Sequence, residues 1–587
     1  MAKSPSILYN NQNRTHEGAL HVQNYKVFLK IIGSARNNLM ELFRSWNINE
    51  RQRYFINTIS VYDSEFLQTL NQEDITPEER LRQHIIYRGY PVFIEIFYDP
   101  AFVQLPTVPL YAIDSNMRQT LYKLIYACGV IGWMEWLIEQ SKAGFLSYSE
   151  LLNHVWLKFR YSYHWNEKIE QDNTLWYADV ITQHQISKYD SLKERSQVIL
   201  EKIDRAVYIW HDHFMGYNND QETDDYFFEL ALLDAQQSTD WDAFTRESLF
   251  EGIKYESFVD AVVSFTGYTM KQINFANVLL SKHPHLLLEN LICSIWERNE
   301  ILSLIQANQA VPPSSAHSIL TTITLTPESM VRYQSKIAVA PAPFLQISQE
   351  HYIRSVRGLL DSPYAYLLES LSTSYPKEWS KNVNNREKHF KQQLYSLFDQ
   401  STFHCVKHNI IIKGADKVST DIDAAIVCKT TGEIGLFQLK WQSNHNNSPF
   451  QLKSKSTNYQ NEAQRWIQTV QDWIESCTES EIASCLGVKK KYVDKQKVYL
   501  FVVGRHNGNY SSNRRPQPGC VWSQWYQFLH HATFLSQNEE LSFSTLYDYL
   551  QKGSPYSQPL RERPSILIYG KYRIHLGGLS KRHKPSN

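Results

Sequence analysis

The chain has 587 residues, 42% of them hydrophobic and 20% charged, with 60 basic and 60 acidic side chains. That length suits about three or four domains. The composition excludes a disordered or fibrous protein and supplies apolar residues for a large core. The zero net charge hides an asymmetry: residues 1–376 carry 31 Lys and Arg against 43 Asp and Glu, whereas residues 377–587 carry 29 against 17. A basic module is the electrostatic footprint of a protein that meets phosphates. The seven cysteines, at 128, 293, 405, 428, 477, 485 and 520, form no CxxC, which argues against a disulfide framework and for a reducing, cytoplasmic setting. The start MAKSPSILYNNQNR lacks the apolar core of a signal peptide. The longest apolar stretch, residues 121–138, holds Lys123 and Glu135 and reads as a buried helix, with no membrane association.

Residues 1–310 read as a mainly helical, acidic region. Stretches such as VQNYKVFLKIIGSARNNLMELFRSW, QTLYKLIYACGVIGWMEWLIEQ and LKERSQVILEKIDRAVYIWHDHF carry the helical period. No motif in this region names a chemistry, and its role stays open: control of targeting or activation, recognition of a partner protein, a phage component or a DNA feature, or cover for the basic back by charge complementarity. Val311-Pro312-Pro313-Ser314-Ser315 reads as a linker, because paired prolines and serines do not continue a helix. It opens a connecting segment, residues 311–376. The segment is expected to hold a strand at 318–326, a hairpin of 343–348 with 351–356 about Gln349-Glu350, and a helix at 362–373.

The pattern then changes. Residues 385–398 are helical, 403–413, 421–428 and 433–441 are β-like, and 497–503 form another strand. Between them residues 459–476 make an amphipathic helix with Tyr459, Ala463, Trp466, Ile467, Val470, Trp473 and Ile474 on one side. The fold class is therefore multidomain α and α/β: a helical front, then an α/β core with a mixed sheet over residues 377–587, including a basic C-terminal extension.

The loop Lys429-Thr430-Thr431-Gly432 would set Cys428 opposite Glu433. In that register Asp423 faces Gln438 and Asp421 faces Lys440. The strand period puts Gln438 and Lys440 on one face with Ile434 and Leu436. A carboxylate, an amide and an ammonium thus converge at one end of an apolar hairpin, an arrangement too costly to bury for packing alone. On the preceding helix Glu387 falls inside the stripe of Val383, Phe390, Leu394, Leu397 and Phe398, where a carboxylate must reach solvent or a cation.

A helical Glu, then D-x-D on a strand, then Q-x-K on the next, resembles the PD-(D/E)XK nuclease superfamily. Its restriction-endonuclease-like core has the same order of helix, three strands, helix and strand. Gln438 in place of the commoner Glu resembles the Mrr-like branch. The likeness covers residues 382–503, about a fifth of the chain. No Pro precedes the acid, and Thr420-Asp421-Ile422-Asp423 offers two carboxylates. Asp423 is favoured because a hydrophobic strand follows it, and Asp421 stays open.

The resemblance implies a Mg²⁺- or Mn²⁺-dependent nuclease that hydrolyses DNA phosphodiesters. Asp423, Gln438, Glu387 and the Leu439 carbonyl would be metal ligands. Lys440 would orient water and stabilise developing charge. Gln464, then Gln460, would support the site from the next helix, and protomers would pair to cut two strands. A prokaryotic defence or restriction-type effector is the implied context. The alternatives are a catalytically silent nucleic-acid-binding or scaffold protein, or a nuclease of repair or mobile elements. Arg514 and Arg515, in the Gly-, Asn- and Ser-rich run after residue 505, are expected to clamp a phosphate backbone. His211-Asp212-His213 and His283-Pro284-His285 lack a matched second pair and read as ordinary histidines. No GxxxxGK[ST] is present.

Overall fold

The computed structural model describes residues 25–70, 76–159, 161–238, 241–333, 339–413, 419–441, 448–506, 519–538, 540–552 and 565–577. The acidic front is helical, as its periodicity predicts. Helices Lys26–Ser45, Ile48–Leu70, Pro77–Phe97 and Ser115–Ala143 bury Phe28, Phe55, Ile85, Phe93, Ile125 and Met134 in one core. The third starts on a capping box of Thr76 and Glu79, and the fourth is capped by Asp114 and stops at Gly144 in the left-handed region. These last two helices touch backbone to backbone. A Cβ added at Gly132 would lie 2.0 Å from the Arg88 carbonyl oxygen. Ser115–Ala143 is the one described helix long and apolar enough to cross a membrane, and 72% of its apolar 18-residue window is buried inside the protein.

Three readings of the front and its connection change. The helix expected to run past residue 210 ends at Ala206. Val207–Trp210 and Phe214–Tyr217 instead pair as an antiparallel hairpin, because aromatic and β-branched residues suit a pleated strand. His211 and Asp212 form its turn at positive φ. Residues 311–315 are not a linker. Pro313 opens a helix, Pro313–Thr322, a position proline tolerates because its missing N–H has no helical partner there. Ala316, Ile319 and Leu320 share one core with Ile301 and Ile305 of the helix before. The strand expected at 318–326 shrinks to Thr324–Leu325. The hairpin appears as Phe344–Gln346 and His351–Arg354, with Tyr352 opposite Gln346. Phe344 and Leu345 are both fully buried, so this segment belongs to the core of the front.

The α/β core is built from α1 (Pro376–Ser396), β1 (Phe403–Cys405), β2 (Ile410–Lys413), β3 (Ser419–Ile422), β4 (Ala424–Cys428) and β5 (Ile434–Lys440). Then come α2 (Pro449–Ser476), α3 (Glu479–Leu486), β6 (Val498–Gly504), β7 (Cys520–Gln524), α4 (Trp525–Asn538) and α5 (Phe543–Lys552). Five strands form a mixed sheet in the order β1-β4-β5-β6-β7. The first two pairings are antiparallel and the last two parallel. One face packs Phe437 and Phe501 against Phe390 and Leu394 of α1 and against Phe528 and Phe543 of α4 and α5. The other packs Leu436 and Val502 against Ala463, Ile467 and Val470 of α2 and Leu486 of α3. Residues 403–413, read as one strand, make two that serve different sheets: β2 leaves to pair with β3.

Several contacts bind front and back together, among them an ion pair and a shared sheet. Arg505, only 2% exposed, donates to Gln393 at 2.7 Å and pairs with Asp242 of the front. Its guanidinium lies 4.9 to 5.6 Å from the rings of Trp441, Phe390, Trp525 and Tyr526. Further on, strands Ser565–Tyr569 and Tyr572–Gly577 leave the basic module. They extend the hairpin of Leu146–Leu151 and His154–Phe159 into a four-stranded sheet. Its inner residues Tyr148, Val155, Leu157 and Ile574 join the helical core.

Candidate active site at the split strand

The hairpin of β4 and β5 has the predicted register. Ala424 pairs with Phe437, Ala425 with Leu436, Ile426 with Gly435 and Val427 with Ile434. Gly432, at φ 75°, closes the four-residue loop, and its N–H donates to the Cys428 carbonyl at 3.1 Å. A left-handed residue is required there, and glycine adopts that conformation without a Cβ clash.

Immediately before β4 the strand splits. Had the ladder continued, Ile422 would face Leu439. Instead Ile422 pairs with Ile410 in the small sheet. That departure would orphan a backbone donor of β5, and a buried donor must find an acceptor. The Asp423 carboxylate supplies it: Oδ2 accepts the Leu439 N–H at 2.7 Å and also the side-chain amide of Gln438. Gln438 is buried. Leu439 therefore meets the acid through its N–H, whereas the resemblance offered its carbonyl.

Burial dominates the acidity of Asp423 and pushes its carboxyl up to about 7. The Leu439 N–H and the Lys440 ammonium pull the other way, while Asp421 and Glu387 push it further up. Lys440 is partly covered, 25% exposed, and its Nζ lies 3.6 Å from Glu462 of α2, itself 60% exposed. An ion pair with so exposed a partner holds the ammonium only weakly.

Asp421 does not face Lys440. It is exposed and pairs with Ile411 in the small sheet. Its carbonyl accepts the Trp466 indole N–H at 2.8 Å, which ties α2 to the split. Glu387 is exposed rather than within the buried stripe of α1, which runs Asn382, Arg386, Phe390 and Leu394. The reason is polar anchoring by the front. Asn382 donates to the Leu249 carbonyl at 3.0 Å, and Arg386 lies over the ring of Phe244 of the front at 4.1 Å and over that of Trp379 on its own helix at 5.2 Å. Glu387 still acts electrostatically on Asp423.

Two charged neighbours escape a reading of the sequence. Lys391 stands one turn after Glu387. Its burial lowers its pKa, an effect that Asp423 partly offsets. One turn further, the Tyr395 hydroxyl donates to the Val406 carbonyl at 2.6 Å and accepts the Ala425 N–H at 3.3 Å. The spacing 387, 391, 395 was a signal, since those positions share a helix face. Glu462 is the other.

Gln460 and Gln464 are half-buried. Taking Tyr459 as zero at about 100° per residue, they fall near 100° and 140°, and Glu462 near 300°. Glu462 thus flanks the apolar stripe on the side where Trp466 meets Asp421 and Glu462 itself meets Lys440, and the two glutamines lie beyond the opposite edge. Arg514 and Arg515 lie outside the described residues. Among the described residues no three His, Cys, Asp or Glu side chains gather as a metal-binding group. What the split strand offers is one enclosed carboxylate, one amide and two further carboxylates close enough to perturb it. No family model matches the chain, and neither does any curated protein or solved structure.

Proposed function

We propose that the chain is a divalent-metal-dependent DNA nuclease of the PD-(D/E)XK kind, with its active site at the split strand. The observation that carries the reading is the convergence of Asp423, Gln438 and Lys440 at the end of the β4–β5 ladder. The mixed sheet between α1 and α2 is the setting that such a site requires. Asp423, the Gln438 oxygen and Glu387 are hard oxygen donors. They are right in type for Mg²⁺ or Mn²⁺ and few in number, so water and phosphate oxygens would complete the shell. When bound, such an ion supplies Lewis acidity and a more acidic water.

The chain's own residues divide the remaining work. Asp423, poised near neutrality by burial, holds or releases a proton at Oδ1 or Oδ2 according to what binds beside it. The Leu439 N–H fixes the orientation of its carboxylate. Lys440 and Lys391 bring two ammonium groups to the acid, and these attract a phosphodiester and stabilise charge building on its oxygens. The acidic front would govern access or targeting, through a partner protein or a second copy of the chain.

One observation favours the catalytically silent alternative, in which the fold only binds nucleic acid. Gln438 turns its amide donor, not its oxygen, to Asp423. Plasmid cleavage separates the two readings. Wild type should nick or linearise DNA with Mg²⁺ and not with EDTA, and Asp423→Ala and Lys440→Ala should not cut. Cutting by both variants at the wild-type rate would move the active site elsewhere.

A further inference from the structure

The four-stranded sheet that joins the two ends of the chain carries an outer face with no role in the preceding site. Strand alternation sends Tyr148, Val155, Leu157 and Ile574 inward to the helices and leaves His154, Trp156, Lys158, Arg573 and His575 on the other side. The register sets Arg573 beside His154 and His575 beside Trp156. The rings of His154, Trp156 and His575 are mutually near-parallel, with interplanar angles of 10° to 17° and all three centroid distances between 5.3 and 5.6 Å. Three parallel rings equally distant from one another cannot form a column, in which the end rings would be twice as far apart. Nδ1 of His154 and Nε2 of His575 are 3.0 Å apart while the ring centres are 5.3 Å apart. The two imidazoles therefore meet edge to edge in nearly one plane.

Trp156 is 41% exposed, and Lys158 and Arg573 are both exposed. None of the outward positions on the four strands is acidic, although the front as a whole is strongly acidic. Beside the rings, the tight turn of this hairpin holds Leu152 at φ 54° and 85% exposed. A two-residue hairpin turn requires that left-handed conformation, and it holds the leucine side chain out in solvent.

We infer that this face is a binding platform for single-stranded nucleic acid. An exposed aromatic ring flanked by cations is what a stacked base and its phosphates require. Lys158 and Arg573 take the backbone, and the exposed Trp156 ring, with His154 and His575 beside it, takes bases. The platform would present an unpaired strand to the rest of the molecule and does not depend on cleavage at Asp423.

The test is fluorescence anisotropy with the full chain in EDTA. The probes are labelled strands of about 20 nucleotides: oligothymidylate, its ribose counterpart oligouridylate, an abasic strand of equal length, and a duplex. Trp156→Ala should weaken binding of the base-bearing strands by roughly 5- to 150-fold, the range for loss of one stacked base. It should hardly change the abasic strand, and Trp156→Phe should restore most of the loss. Lys158→Glu, remote from packing, should weaken all single strands and flatten the salt dependence. A difference between thymidylate and uridylate would tell which sugar is preferred. The inference is overturned if Trp156→Ala and Lys158→Glu bind oligothymidylate like wild type, if base-bearing and abasic strands weaken equally with Trp156→Ala, or if only the duplex binds. Cleavage plays no part in the readout, so failure here leaves the reading of Asp423 untouched.

Discussion

Asp423→Asn should stabilise the protein and silence it at once. In the folded chain the Asp423 carboxyl titrates near 7 instead of its ordinary 3.8, because burial penalises its charged form. Each tenfold change in acidity is about 1.4 kcal/mol, so the ionised residue costs the fold about 4 kcal/mol. The sign follows from proton linkage. A carboxyl with raised pKa binds its proton more tightly folded than unfolded. Its contribution is fully present below about pH 4, falls as pH rises to about 7, and is flat above. Asparagine keeps an oxygen for the Leu439 N–H and never ionises. Urea and thermal melts of wild type and variant in EDTA, from pH 4.5 to 8.5, should therefore diverge. The two should be similar at pH 4.5, and the variant more stable by a few kcal/mol at pH 8. Hydrogen exchange at β4 and β5 would localise the gain. Added Mg²⁺ should stabilise wild type and not the variant, and the variant should not cut DNA. Equal pH dependence of the two proteins, or a variant less stable at pH 8, would refute the argument that Asp423 is an acid held against its solvation.

Other expectations follow from the same contacts. Lys440→Ala should lower cleavage by about 10²–10³-fold, the usual effect of losing one charge-stabilising group. Metal affinity measured by calorimetry should be unchanged, since an ammonium is not a ligand, and Glu462→Gln should leave cleavage nearly intact because its pair with Lys440 is exposed. Gln438→Glu would set a second carboxylate against Asp423, so in EDTA at pH 8 it should melt below wild type, with Mg²⁺ returning more stability to it than to wild type. An unchanged melt would show that residue 438 does not face the acid. Arg505→Ala should cost about 1.5–3 kcal/mol by removing a charge-assisted hydrogen bond to the part-buried Asp242, and should open protease sites between the helical front and the α/β core. Resistance equal to wild type would show that this contact does not join them.

Local chemistry decided the helices of the front and the hairpin of the candidate site. Helical periodicity needs only the spacing of apolar residues. The register of β4 on β5 needs only a loop ending in a left-handed glycine and a period of two, and together these bring Asp423 to Gln438 without knowledge of any other element. The rest depended on partners distant in the chain. Whether Asp421 or Asp423 is enclosed was settled by β2, which draws Ile422 into a second sheet and leaves the Leu439 N–H for the Asp423 side chain to satisfy. The stripe of α1 was misread at Glu387 because Asn382 and Arg386 are buried by groups from the acidic front. Proline at 313 marked a helix start rather than a linker, since its neighbours found a core to enter. The sheet formed by residues 146–159 and 565–577 could not be read from either segment, because each alone is a two-stranded hairpin, too small to be stable without the strands it pairs with and the helices beneath.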